Sequence, residues 1–254
     1  MIESLIGFVI AFAIAMTGVG AGTVTAPVLI LFLGMEPALA VGTALGFATI
    51  VKIPTGISYL MRKKVDFKYL ALMSAGGIPG VIGGTIILRS LSASHNVKFG
   101  VLSLVGAIIL LSALLNIILM FKGVELSKHA GKMTYVIPIA TFFIGIEVGF
   151  SSSGAGALGT ILLLFATKLF ACTVVGTDIM FGLVVSAVGG GINIATGTLD
   201  YSMLGKLVVG GIFGSLAGSY AATILPGKPF RVVLLVWLLF IGTQLLYRGL
   251  AGGG

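Results

Sequence analysis

The amino-acid sequence predicts an all-α polytopic membrane protein that consists of two structural repeats. Its composition is 58% hydrophobic and only 9% charged, whereas soluble domains carry about 25% charged residues. Several apolar runs are long enough to cross the ~30 Å hydrocarbon core of a bilayer as helices. The pattern of glycines and polar residues also restarts at an offset of 134 residues, from Gly20 to Gly154.

The repeat is visible without gaps. A shift of 134 residues lays Gly20-Ala21-Gly22 on Gly154-Ala155-Gly156 and Val41-Gly42-Thr43 on Val175-Gly176-Thr177. It also lays Asp66-Phe67 on Asp200-Tyr201, which chance matching of glycine-rich segments does not explain. The chain therefore reads as two copies of one design. The predicted boundaries are 1–121 for the first repeat, 122–134 for a polar connecting loop, 135–248 for the second repeat and 249–254 for the tail.

Each repeat begins with a long apolar segment that glycines interrupt. Leu5–Leu33 would reach about 43 Å as one helix, which is long for one span and too short for two. Its break, Gly18–Thr23, has a serine-rich counterpart at Gly149–Gly159 within Val136–Phe165. Both a kinked, tilted helix and a re-entrant hairpin fit this length. The spans predicted to follow are Ala38–Leu60, Tyr69–Leu88 and Val97–Phe121, then Cys172–Ile194, Met203–Ile224 and Val232–Leu246.

The distribution of basic residues favours inverted repeats over parallel ones. Lys and Arg fall slightly more unevenly on the two sides of the membrane if the first segments are re-entrant and the halves inverted. The basic connection Arg62–Lys68 also has a counterpart at 196–200 without a basic residue, as expected if equivalent loops face opposite sides. The net charge of +8 is explained by such loops. We expect no nucleic-acid partner, because the basic residues form no face.

The two breaks suit an oxyanion. Where a helix is interrupted, backbone N–H groups and hydroxyls become available, and the start of the next half-helix carries partial positive charge. Glycine lets the backbone approach a ligand closely. Tight helix packing is the competing explanation for these small residues. The predicted substrate-binding residues at the breaks are Gly20, Gly22, Thr23, Ser151, Ser152, Ser153, Gly154 and Gly156.

Three ionisable residues lie at membrane depth, where each is costly and points to function. Lys52 and Asp178 lie on small, polar helix faces, and we expect them to form an ion pair or to share a polar cavity. Glu147 lies two residues before the second break. It is either a protonated acid bonded to a helix backbone or a proton-coupling site.

The remaining polar candidates have structural explanations of comparable weight. Thr43 and Thr177 are equivalent residues early in a span, where they could bind substrate or act in capping and packing. Asn193 shares the helix face of Asp178. With the single Cys172, we expect no disulfide, no metal site and no cofactor.

These motifs resemble the sulfite exporter TauE/SafE family, also called the 4-toluene sulfonate uptake permease family. The resemblance rests on Gly18–Thr23, on Val41-Gly42-Thr43 with Lys52 downstream, on Ser153–Gly159 and on Val175–Asp178. It covers nearly the whole chain. It implies a secondary carrier of a small sulfur-containing anion, such as sulfite, sulfoacetate or another organosulfonate, in the inner membrane of a bacterium or archaeon.

Two rival functions are distinguished by the polar residues. An anion channel needs a continuous polar pore, and few pore-lining polar residues are visible in the sequence. A membrane-embedded enzyme needs an acid dyad, for which Asp178 and Glu147 are the candidates, but no protease-like or His-rich motif accompanies them. A transporter is therefore favoured. The sequence leaves open the anion, the direction of transport, the coupling ion and the oligomeric state.

Overall fold

The computed structural model describes residues 2–17, 21–92, 98–121, 134–153, 156–224 and 227–251. Within these ranges the chain forms ten α-helices and no strand. The first half contains α1 (Ile2–Thr17), α2 (Ala21–Leu33), α3 (Pro37–Met61), α4 (Phe67–Ser92) and α5 (Lys98–Phe121). The second contains α6 (Val136–Ser151), α7 (Ala157–Ala166), α8 (Ala171–Ala195), α9 (Tyr201–Ile224) and α10 (Gly227–Ala251).

The predicted fold class is confirmed. Six helices, α3, α4, α5, α8, α9 and α10, are long and apolar enough to cross a membrane. They coincide with the six spans expected from the sequence, although α10 begins at Gly227, before the apolar run on which the prediction was based. The second long segment is broken, since α6 ends at Ser151 before α7. In the first, α1 reaches Thr17 and α2 begins at Ala21, and the residues between them lie outside the described ranges. The protein is a multi-pass membrane protein.

Equivalent helices of the two halves pack against each other in opposite directions. Gly42 of α3 lies against the backbone carbonyl of Thr198, just beyond α8. Its counterpart Gly176 of α8 lies against the carbonyl of Lys64, just beyond α3. Each glycine is needed because a Cβ would collide with that carbonyl. The two contacts are therefore related by the repeat, because in each one a glycine of one half packs on a carbonyl of the other half.

The pair α5 and α10 repeats this geometry. Gly106 of α5 lies against Leu245 and Leu246 of α10, whereas Leu110 lies against Gly242. The residue number falls along one helix as it rises along the other, so the two helices are antiparallel. When two equivalent helices run antiparallel, the two-fold axis that relates them lies perpendicular to the helices and not parallel to them. This packing supports the predicted inversion of the repeats.

The first arm of each broken segment packs on a long helix of the opposite half. Glycines spaced four apart allow this close backbone contact. On α9, Gly210, Gly214 and Gly218 lie against Ser4, Phe8 and Phe12 of α1. On α4, Gly76, Gly80 and Gly84 lie against Pro138, Phe142 and Ile146 of α6. These glycines therefore serve close helix packing.

Contacts of the second arms support the re-entrant alternative. Leu5 of α1 and Phe32 of α2 line one apolar crevice beside Trp237, whereas a continuous helix would separate the first two residues by about 40 Å. In the second half, Gly159 at the start of α7 lies close to Met73 of α4. Since the beginning of α6 also lies at this level of α4, α7 returns toward the end from which α6 came.

Candidate functional site

The second break is formed by local hydrogen bonds of its own serines. Ser151 Oγ donates to the carbonyl of Glu147 (2.9 Å) and accepts the backbone N–H of Ser153 (3.2 Å). Ser152 adopts a left-handed conformation (φ 60°), and α7 is preceded by Gly156 at φ 132°. A left-handed serine is unfavourable unless its surroundings hold it. The run of serines therefore ends α6 and turns the chain.

Several buried polar atoms around this break have no partner. Ser152 Oγ, Ser153 Oγ and Glu147 Oε1 are buried without a hydrogen bond of acceptable geometry. The carboxyl group of Glu147 nevertheless lies beside the hydroxyls of Ser153 and of Ser112 on α5. Buried polar atoms in proteins are nearly always paired, and unpaired ones indicate a missing water or ligand. The break is thus a polar pocket within an apolar bundle.

Two further helices contribute unpaired atoms that the sequence analysis did not identify. Asn116 on α5 donates from Nδ2 to the carbonyl of Ser112 (2.9 Å), while its buried Oδ1 has no partner. On α4, the buried hydroxyl of Thr85 is also unpaired, and Gly149 of α6 packs against its backbone. The position of Asn116 within an apolar span was a usable signal, because a buried amide in a span needs partners.

Asp178 belongs to α8, and its carboxylate lies against the start of α7, on the other side of the break. Its Oδ2 accepts a hydrogen bond from the hydroxyl of Thr160 (2.6 Å). Its Oδ1 occupies the space that a Cβ on Gly159 would fill, and it has no hydrogen-bond partner. The start of this half-helix was expected to face substrate, but in the structure a carboxylate of the protein itself lies there. Thr160 was also missed, because only the return of α7 brings it to α8.

The direct ion pair considered for Lys52 and Asp178 is not formed. Both residues are described, but no contact joins the ammonium to the carboxylate, and Asp178 bonds to Thr160 instead. Their charges still attract each other across the interface of α3 and α8. Asp178 is almost fully buried, whereas Lys52 is half-buried. Of the two arrangements expected for Lys52 and Asp178, the structure therefore leaves the shared polar environment and not the ion pair.

Thr43 and Thr177 connect the two halves. Thr43 Oγ1 donates to the carbonyl of Leu39 (2.7 Å) and accepts the backbone N–H of Asp200 (3.1 Å). Thr177 Oγ1 accepts the backbone N–H of Asp66 (2.9 Å). Both aspartates also cap helices: Asp200 accepts the backbone N–H of Met203 in α9, and Asp66 that of Tyr69 in α4. Because each threonine hydroxyl serves a helix start in the other half, we leave both out of the proposed site.

Asn193 is likewise occupied within the protein. Its Nδ2 donates to the carbonyl of Gly189 (2.8 Å), and its Oδ1 accepts from the hydroxyl of Thr198 (2.6 Å). These bonds hold the end of α8, where Gly42 packs. We therefore leave Asn193 out of the proposed site as well.

The first break is described only in part. Gly20 and Gly154 lie outside the described residues. Gly22 and Thr23 belong to the first turn of α2, and Thr23 is buried. The second break therefore supplies the geometry on which a functional proposal can rest.

A bundle with paired broken helices and buried, unpaired polar atoms at a break has the architecture of a membrane transporter. The chain belongs to the sulfite exporter TauE/SafE family, whose model matches residues 4–245. The resemblance seen in the motifs is thereby confirmed.

Relatives of known name agree with this class. The probable membrane transporter protein YjnA of Bacillus subtilis (strain 168) is 28% identical over 95% of this chain and 98% of its own length. YunE, a probable membrane transporter protein of the same strain, is 25% identical over 93% of each chain. A probable membrane transporter protein of Xylella fastidiosa (strain 9a5c) is 25% identical over 87% of this chain and 86% of its own. No solved structure matches the chain.

Proposed function

We propose that this protein is a secondary transporter that moves a small sulfur-containing anion across the cytoplasmic membrane, with its binding site at the second break. Sulfite is the candidate substrate that the family description names, and sulfoacetate and other organosulfonates are the candidates that the resemblance of the motifs adds. The observation that carries the proposal is the group of unpaired buried atoms at Glu147, Ser152 and Ser153. Such atoms become paired when an oxyanion accepts hydrogen bonds from the serine hydroxyls.

The charge of the anion requires compensation in this apolar setting. Lys52 is the proposed source, since it lies within a span and its charge attracts that of Asp178, whose carboxylate lies against Gly159 of α7. In the absence of substrate, Lys52 balances Asp178. An arriving oxyanion competes with Asp178 for the same positive charge. A site of this kind binds small compact anions and excludes cations.

Glu147 is the proposed proton-coupling group. An ionised carboxylate beside Ser153 would repel the bound anion, whereas a protonated carboxyl donates a hydrogen bond to it. Binding of the anion and protonation of Glu147 therefore favour each other. Transport should fall as the pH rises, because the unprotonated form accumulates.

The inverted halves offer a means of alternating access. Each first arm packs closely on a long helix of the other half, α1 on α9 and α6 on α4. We propose that each arm moves with that helix as one body. Rocking of these bodies would open the second break to either side of the membrane in turn.

The test is uptake of radiolabelled sulfite and sulfoacetate by proteoliposomes that contain the purified protein. We expect the double variant Ser152→Ala/Ser153→Ala to lose about 100-fold or more in uptake, because each lost charge-assisted hydrogen bond costs about 1.5–3 kcal/mol. Ser215→Ala is the matched control, since this hydroxyl only donates to the carbonyl of Ile212 on the surface of α9.

Three outcomes separate the alternatives. Saturable uptake that internal unlabelled anion accelerates supports a carrier. Non-saturable flux without this acceleration would identify a channel and contradict the proposal. Consumption of the labelled anion within sealed vesicles would identify an enzyme instead. Uptake by the double serine variant equal to that of Ser215→Ala would remove the second break from the mechanism.

A further inference from the structure

We propose that Ser112 and Asn116 of α5 form, with bound water, the route by which protons reach Glu147. This inference rests on the proposed function, because it concerns the proton that is coupled to the anion at the second break. It assigns a role to a face of α5 that the double serine variant described above does not change.

Geometry places the two residues in line with Glu147. They lie four residues apart, which is one turn or about 6 Å along the helix. Both are buried within the bundle, with 3% and 4% of their surfaces exposed. The Asn116 amide bends back to the carbonyl of Ser112, and the Ser112 hydroxyl lies beside the Glu147 carboxyl.

The unpaired polar atoms between Glu147 and Asn116 require water as a hydrogen-bond partner. Asn116 Oδ1 comes from α5, Glu147 Oε1 from α6 and Ser153 Oγ from the break, and all three are buried without a partner. Ordered water satisfies such groups where two to four polar atoms surround it. A line of hydroxyl, amide and water leads from Glu147 toward Asn116, about 7.5 Å before α5 ends at Phe121.

In the part of the chain that the structure describes, Glu147 has no charged partner that could exchange a proton with it directly, so its protonation depends on this line of polar groups. No charged side chain pairs with Glu147 among the described residues. Helices α2 and α7, which also contact α6, carry no ionisable residue. Ionisable groups on the other helices packed against α6 are Lys52 and Tyr59 on α3, Lys68, Tyr69 and Arg89 on α4, Lys98 on α5, and Cys172 and Asp178 on α8.

The internal repeat supplies a further argument. The residue equivalent to Glu147 in the other half is Ala13, although the arms that carry the two residues pack alike on a long helix. Packing requirements common to both halves therefore do not explain the acid. A role in proton coupling, served by the polar residue of α5 beside it, does.

The experiment measures proton movement and anion movement in the same proteoliposomes. A pH-sensitive dye inside the vesicles reports protons that enter with an imposed sulfoacetate gradient, and radiolabelled sulfoacetate reports the anion. Sulfite replaces sulfoacetate if it is the anion carried. The variants are Ser112→Ala and Asn116→Leu, with Ser112→Thr as the conservative variant. Thr243→Val on the exposed side of α10 is the control, because its hydroxyl only donates to Leu239. Glu147→Gln defines uncoupled behaviour.

We expect Ser112→Ala and Asn116→Leu to slow coupled proton entry about tenfold, while sulfoacetate binding at acidic pH stays within about twofold of wild type. Ser112→Thr should restore the rate, and Thr243→Val should not change it. Proton entry at the wild-type rate in Ser112→Ala and Asn116→Leu would overturn the inference. If one of them does not fold, the other decides.

Failure of the proposed function would look different. In that case the wild-type protein would move no anion, or would move it without protons. Loss of anion binding together with proton entry in Ser112→Ala would also overturn the inference, because it would place Ser112 in the substrate site.

Discussion

The two breaks of this protein share a scaffold and differ in chemistry. In both halves the first arm packs through the same glycine spacing on a helix of the other half. The second break carries Glu147, Ser151, Ser152 and Ser153, whereas the equivalent positions of the first are Ala13, Thr17, Gly18 and Val19. The shared features therefore belong to the fold, and the unshared ones are those at which we propose the binding chemistry.

The same separation applies to the charged pair. Lys52 is equivalent to Ser186, and Asp178 is equivalent to Ala44. Ser186 donates to the carbonyl of Leu183 within its own helix, and Ala44 is fully buried. Neither counterpart can balance the charge of an anion. The repeat thus provides the proposed functional residues Lys52 and Asp178 with matched controls in the same protein.

The largest expected effect comes from removing the proposed countercharge. We expect Lys52→Ala to lower anion uptake about 100-fold, because loss of one partner of a buried charge pair costs about 2–5 kcal/mol. The equivalent change, Ser186→Ala, removes only a local hydrogen bond and should leave uptake within about twofold. Uptake of labelled sulfite and sulfoacetate by proteoliposomes checks both. Full transport by Lys52→Ala with unchanged anion selectivity would refute its role.

Sequence reasoning reached the fold because hydropathy and the repeat act over whole segments. It could not choose between a tilted helix and a hairpin, since both suit a 29-residue apolar run such as Leu5–Leu33. The role of Thr43 was also out of reach, because its partner Asp200 is 157 residues away. Thr160 became visible only when α7 was seen to return to Asp178. Long-range partners, rather than residue types, were the missing information.

An intermediate effect on stability is expected at the start of α7. Gly159→Ala would place a methyl group where Asp178 Oδ1 lies, so the carboxylate must rotate away from Thr160. Overpacking of this kind costs about 1–3 kcal/mol. Gly191→Ala is the control, since an added Cβ there meets no neighbour within 4 Å. Thermal unfolding in detergent should show a lower midpoint for Gly159→Ala alone. Equal midpoints for the two variants would mean that Asp178 does not hold this position.

The smallest expected effects test the symmetric connections. Thr43→Val and Thr177→Val each leave a backbone N–H, of Asp200 or of Asp66, without its side-chain acceptor. Each change should lower the free energy of unfolding by about 0.5–1.5 kcal/mol, the net contribution of one partly buried hydrogen bond. Because the two contacts are related by the repeat, the two losses should be similar and nearly additive.

Chemical denaturation measures these losses, and uptake assays measure function. If the threonines are structural, the concentration of sulfite that half-saturates uptake stays unchanged in both variants. A shift of that concentration in one variant, without loss of stability, would return that threonine to the substrate site. A shift in both would mean that the contacts between the halves set the geometry of the second break. In that case the contacts shared by the two halves and the site found in one half would affect substrate binding together, and the comparison of the two breaks would fail.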